Sequence, residues 1–259
     1  MAEFSEYKPG TPSWIDLQTA DPDKGVEFYR GLFGWEAQDL GPEAGGYRFL
    51  LKDGKMVGGA GPKMMDEAPS NWMTYIAVAD ADETAKKVEK AGGTVLAPPM
   101  DVMTAGRMGV FADPTGAVFG IWQAKDHKGA QLANEPNSWG WSELQTRDAD
   151  KAKSFYESVF GWTATTSEAM GGYTVWENDG KQLGGMTNPE MLPQEVPPNW
   201  MTYFGVDDAD AAVKKVKDLG GSVMMEPMDI PTVGRFAVVA DPQNAVFAII
   251  KTAPPPAEA

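Results

Sequence analysis

The sequence predicts an α+β fold made of four βαβββ modules, and three observations carry that prediction. A strand-forming stretch occurs twice, as Asn71-Trp72-Met73-Thr74-Tyr75 and as Asn199-Trp200-Met201-Thr202-Tyr203. Each copy runs into a short amphipathic segment, Ala81 to Ala91 or Ala209 to Leu219, closed by a Gly-Gly pair suited to a helix C-terminus. The rest of the chain repeats at the same period: Trp14 to Tyr29 is matched by Trp141 to Tyr156, Asp53-Gly54-Lys55 by Asp179-Gly180-Lys181, and Asp113-Pro114 by Asp241-Pro242.

The first module opens with a strand from Ser13 to Thr19. Asp21 is placed to cap a helix at its N-terminus, and Pro22 to begin it, because a proline at the first helical position loses no hydrogen bond. Val26, Phe28, Tyr29, Leu32 and Phe33 then share one helical face, and Gly34 ends the helix. Three strands follow, Trp35 to Asp39, Tyr47 to Lys52 and Met56 to Gly61, the last two joined by the hairpin dipeptide Asp53-Gly54. The second module has the same order: strand Trp72 to Val78, helix Ala81 to Ala91, then strands Thr94 to Ala97, Arg107 to Ala112 and Ala117 to Gln123. These two modules form a first domain, residues 1–126. A polar linker spans 127–136, a second domain repeats the pattern over 137–252, and a Pro-rich tail covers 253–259.

Composition narrows the function. A net charge of −15 in 259 residues repels nucleic acid and anionic membrane surfaces, so small molecules and proteins are the expected partners. The chain has no cysteine, hence no disulfide framework and no thiolate nucleophile. No apolar run approaches a membrane span and the first ten residues are polar, which points to the cytoplasm. Monomer and homodimer are both compatible with a tandem chain.

The Asp21 to Gly34 and Asp148 to Gly161 segments, each an Asp followed by Phe-Tyr and then Phe-Gly-Trp, together with the Gly-Gly helix ends and the Asp-Pro turns, give a family resemblance. The chain resembles the vicinal oxygen chelate superfamily of glyoxalases, extradiol dioxygenases and bleomycin-resistance proteins. That resemblance implies two half-open barrel domains in tandem. It also implies where metal ligands would lie in metal-using members: at Trp14, Met73 and Gly120 in the first half and at Trp141, Met201 and Ala248 in the second. None of these can bind a metal through its side chain as His or Glu does, and the fourth-strand segments Met56 to Lys63 and Gln182 to Pro189 hold no His, Asp or Glu. The single histidine, His127, falls in the linker and is expected to be a solvated loop residue. No metal and no cofactor is expected.

Strand alternation says which side chains share a face with those positions. On the first strand they are Trp14, Asp16 and Gln18, matched by Trp141, Glu143 and Gln145; on the fifth, Met73 and Tyr75, matched by Met201 and Tyr203; on the last, Trp122 with Gly120, matched by Ile250 with Ala248. The family pattern adds Met108 and Phe236. The resulting face is aromatic and Met-rich with one carboxylate per half, and Gly120 and Ala248 are expected to leave space. Asp16 and Glu143 are the candidate acid/base groups, and Tyr75 and Tyr203 the candidate donors to a ligand oxygen. The first reading is therefore a metal-free protein that holds a hydrophobic or aromatic metabolite or drug. A metal-independent lyase, isomerase or cyclase is second, a metal-dependent glyoxalase or dioxygenase third, and a protein-binding role through the acidic surface fourth.

Overall fold

The computed structural model describes residues 3–65 and 67–254. Over them the order strand, helix, strand, strand, strand recurs four times. The first half contains β1 (Pro12–Thr19), α1 (Pro22–Phe33), β2 (Glu36–Asp39), β3 (Arg48–Lys52), β4 (Lys55–Pro62), β5 (Asn71–Ala77), α2 (Ala81–Lys90), β6 (Thr94–Val102), β7 (Gly106–Ala112) and β8 (Val118–Ala124). The second contains β9 (Trp139–Gln145), α3 (Ala149–Phe160), β10 (Thr163–Ser167), β11 (Tyr173–Asn178), β12 (Lys181–Met186), β13 (Asn199–Gly205), α4 (Ala209–Asp218), β14 (Ser222–Ile230), β15 (Gly234–Ala240) and β16 (Val246–Thr252). Local chemistry fixes the helix ends. Asp21, Asp80, Asp148 and Asp208 each accept a hydrogen bond from a first-turn backbone N–H, and Gly34 and Gly161 close α1 and α3 in the left-handed conformation.

Each half forms one open eight-stranded sheet, ordered β2-β3-β4-β1-β5-β8-β7-β6 and β10-β11-β12-β9-β13-β16-β15-β14. The two modules of a half meet at the antiparallel β1–β5 or β9–β13 pair, while β1 and β4 run parallel. Neither sheet closes, so the half-open barrels expected from the resemblance are what form.

The helices complete the fold across the halves. Val26, Phe28, Tyr29 and Phe33 of α1 share a core cluster with Phe204, Val213, Ala237 and Phe247 of the second half. Reciprocally, Phe155, Tyr156 and Val159 of α3 pack with Ile76, Phe111, Phe119 and Ile121 of the first. Paired polar bonds tie the same seam. Trp72 donates to the Tyr29 hydroxyl (2.8 Å), which donates to Asp241 (3.3 Å); Trp200 donates to Tyr156 (2.9 Å), which donates to Asp113 (3.0 Å). The helix-facing sides of the two sheets therefore lie inside the molecule, and their other faces are left for function.

Two expectations change. β6 runs on to Val102 through Pro98 and Pro99, which an edge strand tolerates because it has one side without a ladder partner. The linker is packed rather than free: Ala130 N–H donates to Ser13 (2.8 Å) and Gln131 N–H to Met56 (2.7 Å), and Leu132 is buried. Its backbone groups reach strand ends of the first half, which satisfies them without water. Of the tail, only Ala253 and Pro254 are described; 255–259 lie outside the described residues.

Candidate functional site on the two concave faces

The register of β1 between β4 and β5 sets Asp16 beside Gly59 on one side and Met73 on the other. This places the carboxyl in the middle of the concave face, where it is only 5% exposed. Its Oδ2 accepts hydrogen bonds from the hydroxyls of Tyr75 (3.1 Å) and Tyr47 (3.3 Å), while its Oδ1 is buried without a partner. Trp14 donates to the Tyr47 hydroxyl (2.9 Å), and Gln18 donates to that of Tyr75 (3.4 Å) and lies against Met73. Burial pushes the Asp16 carboxyl up to about 7, with the Tyr75, Gln18 and Tyr47 side chains pulling the other way. Asp16 is thus divided between acid and base near neutrality.

The second half repeats the cluster. Glu143 Oε1 accepts from Tyr203 (3.1 Å), Gln145 (3.4 Å) and Thr187, and Trp141 donates to the Tyr173 hydroxyl (2.9 Å). Burial raises the Glu143 carboxyl as well, against the opposing hydrogen bonds of Thr187, Tyr173, Gln145 and Tyr203. Tyr75 and Tyr203 are held well above the usual phenol range, first by burial and then by the carboxylate beside them. They are donors, not bases.

Every candidate belongs to one of these two clusters or packs against their walls. Met108 pairs across the sheet with Trp122 and is half-buried; Met201 and Phe236 line the second face with Tyr203. Two tyrosines were not anticipated. Tyr47, just before β3, and Tyr173, the first residue of β11, each reach across a glycine, since a Cβ at Gly59 or Gly185 would collide with the phenol. Their signal is a repeat in the sequence, Gly45-Gly46-Tyr47 and Gly171-Gly172-Tyr173.

Two further expectations are corrected. Gly120 leaves no empty space, because the Tyr75 ring lies where its Cβ would be. His127 is not solvated: it is 8% exposed and sits among the rings of Trp14 (4.3 Å between centroids), Phe49 (5.1 Å) and Trp122 (5.5 Å). Both of its ring nitrogens are buried without hydrogen-bond partners, and burial lowers its pKa to about 4, so it is neutral. The backbone explains the inward turn, since His127 N–H donates to Ala105 and its carbonyl accepts from the Trp122 indole.

The donor set does not suit a divalent metal. Among the described residues no three His, Asp or Glu side chains come together to hold one, and the matched ligand positions carry indoles, thioethers, Gly or Ala. Two surface hollows, of about 400 and 270 Å³, lie beside the N-terminal arm and include neither Asp16 nor Glu143; only the smaller reaches a concave-face residue, Trp141. Among the described residues no helix is long and apolar enough to cross a membrane.

Tandem open sheets built from four βαβββ modules define a fold class, and comparison agrees with it. The description "Glyoxalase/Bleomycin resistance protein/Dioxygenase superfamily" matches residues 11–121 and 138–249, and the chain belongs to that superfamily. It is 45% identical to "Putative glyoxylase CFP32" of Mycobacterium tuberculosis (strain CDC 1551 / Oshkosh), over 98% of this chain and 99% of that one. It is 38% identical to "Anthracycline biosynthesis protein DauV" of Streptomyces sp. (strain C5), over 96% and 95%. Among solved structures, the Mn(II)-bound glyoxalase from Novosphingobium aromaticivorans superposes with a TM-score of 0.64 at 18% identity, covering 94% of this chain and 82% of that one. The 2,3-dioxygenase LapB from Pseudomonas sp. KL28 gives 0.63 at 12% identity, covering 97% of both.

Proposed function

We propose that this protein binds a hydrophobic, aromatic small molecule on a concave face without a metal, and reads a hydroxyl or carbonyl of that molecule with the carboxyl–phenol cluster. The observation that carries this reading is the buried carboxyl ringed by tyrosine donors, indoles and methionines, on the face where the family resemblance implies the ligand positions of metal-using members. An apolar wall with a few placed polar groups suits an aromatic ligand bearing oxygen substituents. The relative named for anthracycline biosynthesis supports the same ligand class.

Calorimetric titration with 1,4-dihydroxyanthraquinone tests it. Binding is expected at micromolar concentration and is expected to be unchanged after exhaustive chelation. Binding that disappears with chelation and returns with Ni, Zn or Fe would sink the metal-free reading. A second reading, a metal-independent lyase, isomerase or cyclase, is favoured by the bare Oδ1 of Asp16, which at neutral pH can carry or take a proton. On that reading Asp16→Asn or Glu143→Gln abolishes conversion and preserves binding.

A further inference from the structure

We infer that the two concave faces have different occupants: His127 of the chain itself fills the first, and the ligand belongs to the second, against Trp141, Tyr203 and Phe236. The inference rests on the binding reading above and assigns it to one half.

In the first half the aromatic wall is already used. Trp14 and Trp122 are 4% and 7% exposed, and the imidazole of His127 packs edge-on to both and against Phe49. Packing alone accounts for its position, since neither ring nitrogen is hydrogen-bonded. The groups facing it from the neighbouring strands are uncharged rings, and the charged residues beside it in sequence, Asp126 and Lys128, are exposed. An imidazole placed in this way occupies the wall as a flat ligand would.

Among the described residues the second half shows no such device. The place equivalent to His127, counted from the ends of β8 and β16, falls at Pro255, outside the described residues, and the whole segment Ala253 to Ala259 contains no aromatic residue that could serve the same role. Trp141, Val238 and Ile250 are half-buried where Trp14, Val110 and Trp122 are buried. Ile250 also replaces the indole of Trp122, which widens the face by the difference between the two side chains. The same acid–phenol cluster thus stands behind a wall that is part-exposed at Trp141, Val238 and Ile250 in one half, over the buried Tyr203 and Phe236, and behind a wall filled by His127 in the other.

The single histidine makes the test direct, because its imidazole protons are unique in a proton spectrum. In the unmodified protein they are expected upfield of free imidazole, from the surrounding rings, and unmoved between pH 5 and 8. Unshifted signals titrating near the ordinary value of about 6.5 would overturn the filled first face. Titration with 1,4-dihydroxyanthraquinone is expected to give one site per chain, lost at least about tenfold in Trp141→Leu. His127→Ala, checked by circular dichroism to remain folded, is expected to give two sites, and a single site would overturn the filled first face. Two sites in the unmodified protein, or full binding by Trp141→Leu, would overturn the assignment alone. No binding by either protein, with His127 still shifted, would overturn the binding reading and the assignment with it.

Discussion

Burial holds the Asp16 carboxyl at about 7 against 3.8 for an exposed aspartate, and the sign of the consequence follows from which form the fold prefers. The folded state keeps the proton that the unfolded chain releases near pH 4. Stability from this group is therefore full below pH 4 and is lost as pH rises to about 7. Asp16→Asn, which cannot ionise, is expected to gain on the order of 2–4 kcal/mol relative to the native chain between pH 4 and pH 8, measured by urea denaturation at both. Equal differences at the two pH values would mean that the carboxyl is solvated. His127 acts in the opposite direction. Its folded pKa lies below the unfolded value, so its contribution is present above about 6.5 and is lost as pH falls towards 4. At the seam, Tyr156→Phe removes a donor from Asp113 and an acceptor from Trp200, and is expected to cost about 1–3 kcal/mol because both partners stay buried. An equal loss is expected for Tyr29→Phe, its counterpart.

At the scale of elements, close approach between side chain and sheet governs the site. The Tyr75 ring rests on Gly120 of β8, so Gly120→Ala forces the stem of the ring away and is expected to cost about 1–3 kcal/mol in denaturation. A loss under about 0.5 kcal/mol would show that the ring moves freely. By contrast, the Arg107–Asp82 pair is exposed, so Arg107→Gln is expected to leave stability nearly unchanged. The strands and helices themselves were legible from capping aspartates, hairpin glycines and alternation, and alternation also put Trp14, Asp16, Gln18, Met73 and Tyr75 on one face. What alternation cannot express is a side chain that arrives from outside the strand it serves. Tyr47 precedes β3 and crosses β4, and His127 turns in from a segment whose polar composition suggested solvent. Their positions depend on long-range packing, which local pattern does not encode.

In the whole molecule, each half supplies the other's core. The repeat revealed the four modules, but not that α1 would pack with the last strands and α3 with the middle ones, because cross-half packing leaves no periodic trace within either half. Separately expressed segments 1–135 and 136–259 are expected to be unfolded or aggregated alone and to form a soluble one-to-one complex when produced together, checked by circular dichroism and size exclusion. Two independently folded segments would contradict the shared core. Because the helix-facing surfaces already cover one another, we propose that the intact chain is a monomer, to be measured by light scattering.

The reciprocal seam also sets the order of events on the ribosome. Phe28 and Tyr29 of α1 find their partner Phe247 only after more than 200 further residues have been made. At roughly 5–20 residues per second, more than 200 residues separate those rings by about 10–40 seconds of translation. For that interval an apolar helix face waits without its cover, and the nascent chain is a natural client for a chaperone that shields such a face. Slowing elongation over the second half is expected to lower the yield of soluble protein, whereas slowing it over the tail should not.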